Sequence, residues 1–162
     1  MPKKILLTLL FALCGITAHA ATVPEVMTLK ADDGVAVYGA LYRAEHPKAL
    51  ILLFHQAGSN SAEYATIAPK LVEMGFSALA IDQRSGGDMF NYVNQTVKHL
   101  GHKTDYLEAQ KDLEAALAYG KTQQLPIVLW GSSYSSSLVF LVDAGPPPGT
   151  PAKTNSCCPI AR

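Results

Sequence analysis

An α/β architecture resting on a parallel sheet is predicted by three short apolar runs, residues 49–54, 76–81 and 127–130. Runs of this kind, rich in branched and aromatic side chains and nearly free of polar ones, are the pattern of strands buried on both faces. Between them the apolar residues recur with the period of an amphipathic helix. Each run also breaks at a polar or glycine-bearing segment. A chain that alternates buried strand and amphipathic helix folds as a parallel sheet with right-handed crossovers.

The elements follow in order. Residues 28–30 and 35–42 flank Asp32, Asp33 and Gly34, a turn signal that predicts an N-terminal hairpin. The first buried strand comes next. Tyr64, Ile67, Ala68, Leu71 and Val72 then mark one face of a helix ending at Gly75, with Pro69 starting or kinking it. The second strand closes on Asp82. Residues 83–104 keep no sustained period and contain Gly86, Gly87 and Gly101, which predicts a long excursion. Within it Met89, Phe90, Tyr92 and Val93 form an apolar cluster that either covers a pocket or packs on the domain. Asp105, with Glu108 three residues on, predicts a helix start. Its apolar face is Tyr106, Ala109, Leu113, Ala116 and Leu117, it ends at Gly120, and Pro126 introduces the third strand.

Of the 162 residues 49% are hydrophobic and 16% charged, with a formal net charge of zero. That balance describes a globular domain and offers nothing to a nucleic-acid backbone. Residues 1–20 carry Lys3 and Lys4, an apolar run over 5–16, then Ala18, His19 and Ala20, the layout of a cleavable secretory signal. The run is shorter than the ~20 residues of a bilayer span. The expected product is exported, periplasmic or secreted, and free of the membrane once the signal is removed. Beyond the signal only the adjacent Cys157 and Cys158 remain, so no disulfide framework is encoded. Residues 21–142 form the predicted domain. Residues 143–162, with Pro146, Pro147, Pro148 and Pro151 and no period, read as a disordered tail. No histidine and cysteine spacing fits a metal, and no glycine-rich dinucleotide motif follows a strand, so neither metal nor cofactor is expected. The oligomeric state leaves no mark in the sequence.

In a parallel sheet ligands gather at the carboxyl ends of the strands. That rule brings together residues 55–59, 82–87 and 131–135. The third of these is Gly131, Ser132, Ser133, Tyr134 and Ser135, entered from an apolar strand and followed by an apolar helical stretch. A tight strand-to-helix turn of this type holds the middle serine's hydroxyl up as a nucleophile. The hydroxyl needs a base to take its proton and donors to stabilise the oxyanion formed on the acyl carbon. The Tyr134 amide, at the start of the helix, can be one donor.

On these residues the chain resembles the N-terminal half of an α/β-hydrolase over about residues 26–142. The similarity is closest to the dienelactone-hydrolase-like and small serine esterase or peptidase branches. It rests on Phe54-His55 with Gly58, on Asp82-Gln83-Arg84-Ser85-Gly86, and on the turn from Gly131 to Ser135. The resemblance implies that Ser133 forms an acyl-enzyme with a small carboxylic ester or related acyl substrate. It implies a second oxyanion amide from Gln56 or Ala57, a structural His55, and an Asp82 that orients the turn around Arg84. His99 and His102 are expected on the surface. Two departures stand out: Ser135 replaces the family's second glycine, and Gln56 stands where the family has glycine after the histidine. The family's acid and histidine follow later strands, so the expected fold is C-terminally truncated and the strand at 127–130 presents an exposed edge. The tail then reads as the product of a frameshift or recombination, or as a linker. Little turnover is expected, and an acyl-binding protein without turnover is the alternative.

Overall fold

The structure, a computed structural model, describes residues 23–144. The expected signal lies outside the described residues, as does the expected tail from residue 145 onward. Five strands form one sheet: β1 (Glu25–Lys30), β2 (Ala36–Tyr42), β3 (Leu50–Phe54), β4 (Ser77–Ile81) and β5 (Ile127–Gly131), in the spatial order β1-β2-β4-β3-β5. β4, β3 and β5 run parallel. The predicted hairpin is present as β1 and β2, turning at Gly34 with φ 90°. It joins the sheet by pairing β2 antiparallel to β4, so the sheet is mixed rather than wholly parallel.

Period-2 alternation sends successive side chains of β3 and β4 to opposite faces, and both strands are buried throughout. On one face Leu52, Phe54, Leu79 and Ile81 pack with Leu113 and Leu138 from α3 (Gln110–Thr122) and α4 (Tyr134–Ala144). On the other, Ile51, Leu53, Ala78 and Ala80 pack with Tyr64 and Leu71. The third apolar run departs from expectation in its burial, while its place at an exposed edge is as expected. β5 lies at the edge of the sheet, and Val128 and Trp130 are 46% and 42% exposed. Its apolar run is half-covered, not buried on both faces.

The single helix expected around residues 64–75 is divided. A 3-10 turn, Ser61–Tyr64, is capped by the Asn60 side chain, and α1 (Ala68–Glu73) follows. Pro69 sits in the first turn of α1, where its missing N–H costs no helical hydrogen bond. The excursion contains α2 (Gln95–Leu100), capped by Asn94 and stopped at Gly101 with φ 85°. The Asp105 carboxylate accepts from the Glu108 amide at 2.9 Å, as a cap does, yet it caps a preceding turn, and α3 begins only at Gln110. Asp143 and Ala144, expected in the tail, complete α4.

Candidate active site

The carboxyl ends of β3, β4 and β5 meet as predicted. Beyond β5 the Ser132 amide donates to the Phe54 carbonyl at 3.0 Å, carrying the parallel ladder one step further. The chain then turns sharply into α4. Ser133 occupies the turn with φ 56°, left-handed backbone that a non-glycine residue adopts at a cost of about 1–3 kcal/mol, and its side chain is exposed. Gly131 is required one turn earlier. A Cβ there would lie 2.6 Å from the carbonyl of Ser135 and the amide of Ser136. Strand, strained elbow and helix are all present, with Ser133 exposed at the turn.

The two loop amides considered for the oxyanion differ. The Gln56 amide donates to Glu63 Oε2 at 3.0 Å. The Ala57 amide has no acceptor among the described residues, and Ala57 is half-buried beside Gly58, whose φ is 68°. The Tyr134 amide, in the first turn of α4, likewise has no acceptor there.

His55 lies directly before this loop and is fully buried. Its Nε2 accepts from the Gln83 amide at 2.9 Å, which leaves the proton on Nδ1, and Nδ1 donates to the Gln56 carbonyl at 2.7 Å. Burial pushes the imidazole pKa below its ordinary value, against the opposing pull of that carbonyl. Both nitrogens are committed to the backbone, so His55 shapes the loop and is not placed to accept a proton from Ser133. His99 stacks on Tyr38 with centroids 4.4 Å apart, and His102 is exposed.

A polar network lies beneath the elbow. Gln83 Nε2 donates to the Tyr134 hydroxyl at 2.6 Å and to Ser135 Oγ at 3.0 Å, and Ser135 Oγ donates to the His55 carbonyl at 2.5 Å. The Tyr134 hydroxyl also meets Ser85 Oγ at 2.5 Å, and the tyrosine ring packs against Tyr106 at 4.3 Å. Burial raises the Tyr134 pKa, which keeps its hydroxyl protonated.

Asp82 has a different role from the one expected. Its carboxylate accepts from the Ser61 amide at 2.7 Å and the Gln95 amide at 2.8 Å, joining the 3-10 turn to the start of α2. Arg84 is held instead by two carboxylates that the sequence reading missed. Its Nε donates to Asp112 Oδ1 at 2.9 Å and its Nη1 to Asp33 Oδ2 at 2.5 Å. The hydrogen bond from Arg84 holds the Asp33 carboxyl well below the usual carboxylate range. Burial pushes the Asp112 carboxyl up, against the hydrogen bonds from Arg84. The available signal was Asp112 sitting next to Leu113 and four residues before Ala116, on the inward face of a helix.

The apolar cluster of the excursion caps a hairpin turn. Phe90 and Asn91 have φ 56° and 54°, and the Tyr92 amide donates to the Met89 carbonyl at 3.0 Å. Asn60 Nδ2 braces the loop through the carbonyls of Gly87, Met89 and Tyr92. Tyr92 lines a groove of about 290 Å³ with Tyr38, Tyr42 and Ser61, and Ser133 does not line it. Among the described residues no group of three metal-ligating side chains gathers, and no helix is long and apolar enough to cross a membrane.

Comparison with known proteins agrees with this geometry. No curated protein matches the chain in sequence. Among solved structures it is similar to a lipase in its open form, at 20% identity and a TM-score of 0.62 over 76% of this chain and 41% of that one. It is also similar to a thermostable carboxyl esterase from Bacillus coagulans in complex with glycerol, at 19% identity and a TM-score of 0.60 over 75% of this chain and 40% of that one. A complex of DcsB with its substrate analogue matches at 21% identity and a TM-score of 0.57, over 76% of this chain and 41% of that one. The chain thus spans about two fifths of the length of these structures, and at such identities the likeness is one of fold. The matches do not single out the dienelactone-hydrolase branch. The family described as serine aminopeptidase, S33, matches residues 45–149, more than half the chain. The chain belongs to this serine aminopeptidase family of α/β-hydrolases.

Proposed function

We propose that Ser133 is the nucleophile of an acyl-transfer site that acts on a small carboxylic ester or a related acyl bond. The observation that carries the reading is the strained elbow: an exposed serine at φ 56°, with two amides, Ala57 and Tyr134, that have no acceptor among the described residues, on the segments that meet there. In the reaction Ser133 Oγ bonds to the acyl carbon while the carbonyl oxygen takes up negative charge. The amides of Ala57 and Tyr134 donate to that oxygen, the Ser133 hydroxyl proton passes to solvent, and the alkoxide leaves as the carbonyl reforms. Gln56, whose amide is already given to Glu63, passes the oxyanion role to Ala57. An ester substrate is supported by the lipase and carboxyl esterase folds, and the family description adds peptide bonds as a related acyl class. The signal-like residues 1–20 support action outside the cytoplasm.

The base is not supplied by the histidines near the site. Both nitrogens of His55 are engaged, and no described carboxylate or imidazole bonds to Ser133 Oγ. The reading therefore assigns this chain the nucleophile and the oxyanion donors, and places the acid and base outside the described residues. The same observation favours, as a second reading, an acyl-binding site with no turnover. Mixing the protein with p-nitrophenyl acetate separates the two. The proposal expects one equivalent of p-nitrophenolate per chain in a burst, slow release thereafter, and loss of the burst in Ser133→Ala. An unchanged burst in Ser133→Ala would refute the nucleophile. Binding of the ester without any burst would favour the second reading.

A further inference from the structure

We infer that Ser135 is a positioning residue for the oxyanion site, an inference that rests on the nucleophile reading above. In the Gly-x-Ser-x-Gly pattern this position is glycine, a residue with no side chain to bond. Here it is a serine whose side chain is fully buried and whose hydroxyl is used twice. It donates to the His55 carbonyl at 2.5 Å and accepts from Gln83 Nε2 at 3.0 Å. The Gln83 amide in turn donates to His55 Nε2 at 2.9 Å, and the Gln83 carbonyl accepts from Asn94 Nδ2 at 3.0 Å. One hydroxyl thus joins the first turn of α4, the end of β3 and the segment after β4.

The carbonyl it holds belongs to the peptide between His55 and Gln56, one peptide before the one that carries the Ala57 amide. The hydroxyl itself lies one residue beyond Tyr134 and two beyond Ser133. The bond from Ser135 to His55 therefore sets the distance between the two oxyanion donors, each on a different segment of the chain. An oxyanion hole works only when its donors converge on the position the charged oxygen will occupy, and a displacement of about 1 Å costs on the order of 100-fold in rate. Removing the hydroxyl leaves the buried His55 carbonyl without this donor and lets the loop drift from the elbow. Ground-state ester binding does not depend on that distance.

The test is the pre-steady-state acylation of the full chain by p-nitrophenyl acetate. In this step the bond from Ser133 Oγ to the acetyl carbon forms, the bond to p-nitrophenolate breaks, and the hydroxyl proton passes to buffer. The saturating acylation rate constant and the half-saturating ester concentration are measured for the wild-type chain, Ser135→Ala and Ser135→Gly, together with thermal melting of each. The expected result is an acylation constant lower by roughly 10- to 100-fold in both variants, half-saturation within about twofold of wild type, and a retained cooperative melt. An acylation constant within about twofold of wild type in either variant overturns the inference, as does a rise in half-saturation that accounts for the lost rate. If Ser135→Ala does not fold, Ser135→Gly decides. If neither folds, the residue specifies the fold rather than the site, and the inference fails. Should the wild-type burst persist in Ser133→Ala, the nucleophile reading itself is wrong and this inference falls with it.

Discussion

His55 shows how burial and two hydrogen bonds decide what a histidine does. Its folded pKa lies below the ordinary 6.5, so below that pH the unfolded chain takes up a proton that the folded chain refuses. The stability contributed by the neutral ring is complete above pH 6.5 and is lost as the pH falls below it, by up to about 1.4 kcal/mol per pH unit. The His55 ring of the folded protein is expected to keep its neutral Nδ1–H form to lower pH than an unperturbed histidine. Nitrogen chemical shifts of the ring report this directly, and a titration midpoint at or above the ordinary 6.5 would contradict it. The structural role of this histidine and the strand-to-helix turn that holds Ser133 were both visible in the sequence, because each is carried by a local motif. The work of the Ser135 hydroxyl was not, since its partners lie 80 and 52 residues away along the chain.

Arg84 links three elements. From the end of β4 it reaches Asp112 on α3 and Asp33 in the turn between β1 and β2, and its side chain is 3% exposed. Removing the guanidinium leaves the Asp112 carboxylate buried with one partner, the Arg84 amide at 2.7 Å. The Arg84→Met variant is therefore expected to lose about 3–5 kcal/mol in urea unfolding at neutral pH. The double variant Arg84→Met with Asp112→Leu should recover much of that loss, because no unpaired charge is then buried. Equal losses in the single and double variants would show that the ion pair is not what holds these elements together. Sequence periodicity found β3 and β4 because both are central strands, covered on each face. It overstated the burial of β5, since an apolar run alone does not show whether its strand is covered on both faces, although the edge position of that strand was expected and is found. It also passed over α2, whose six residues are too few to display a helical period.

The five-stranded mixed sheet supplies three converging strand ends, and with them the strained turn at Ser133 and two amides, Ala57 and Tyr134, with no acceptor among the described residues. The alternation of strand and helix made this architecture legible in advance. The antiparallel joining of the hairpin to β4 was not, because neither strand's own pattern names its neighbour. The matched part of the chain corresponds to about two fifths of the lipase and of the carboxyl esterase it is similar to. The proposed acid and base stand outside the described residues, so Ser133 is the part of the chemistry that this chain can be asked to reveal. Treating the protein with a p-nitrophenyl alkylphosphonate and mapping the adduct by peptide mass spectrometry asks that question. The prediction is one phosphonyl group per chain, on Ser133, and none on the Ser133→Ala variant. An adduct on Ser132, Ser136 or another residue, or undiminished labelling of Ser133→Ala, would contradict it.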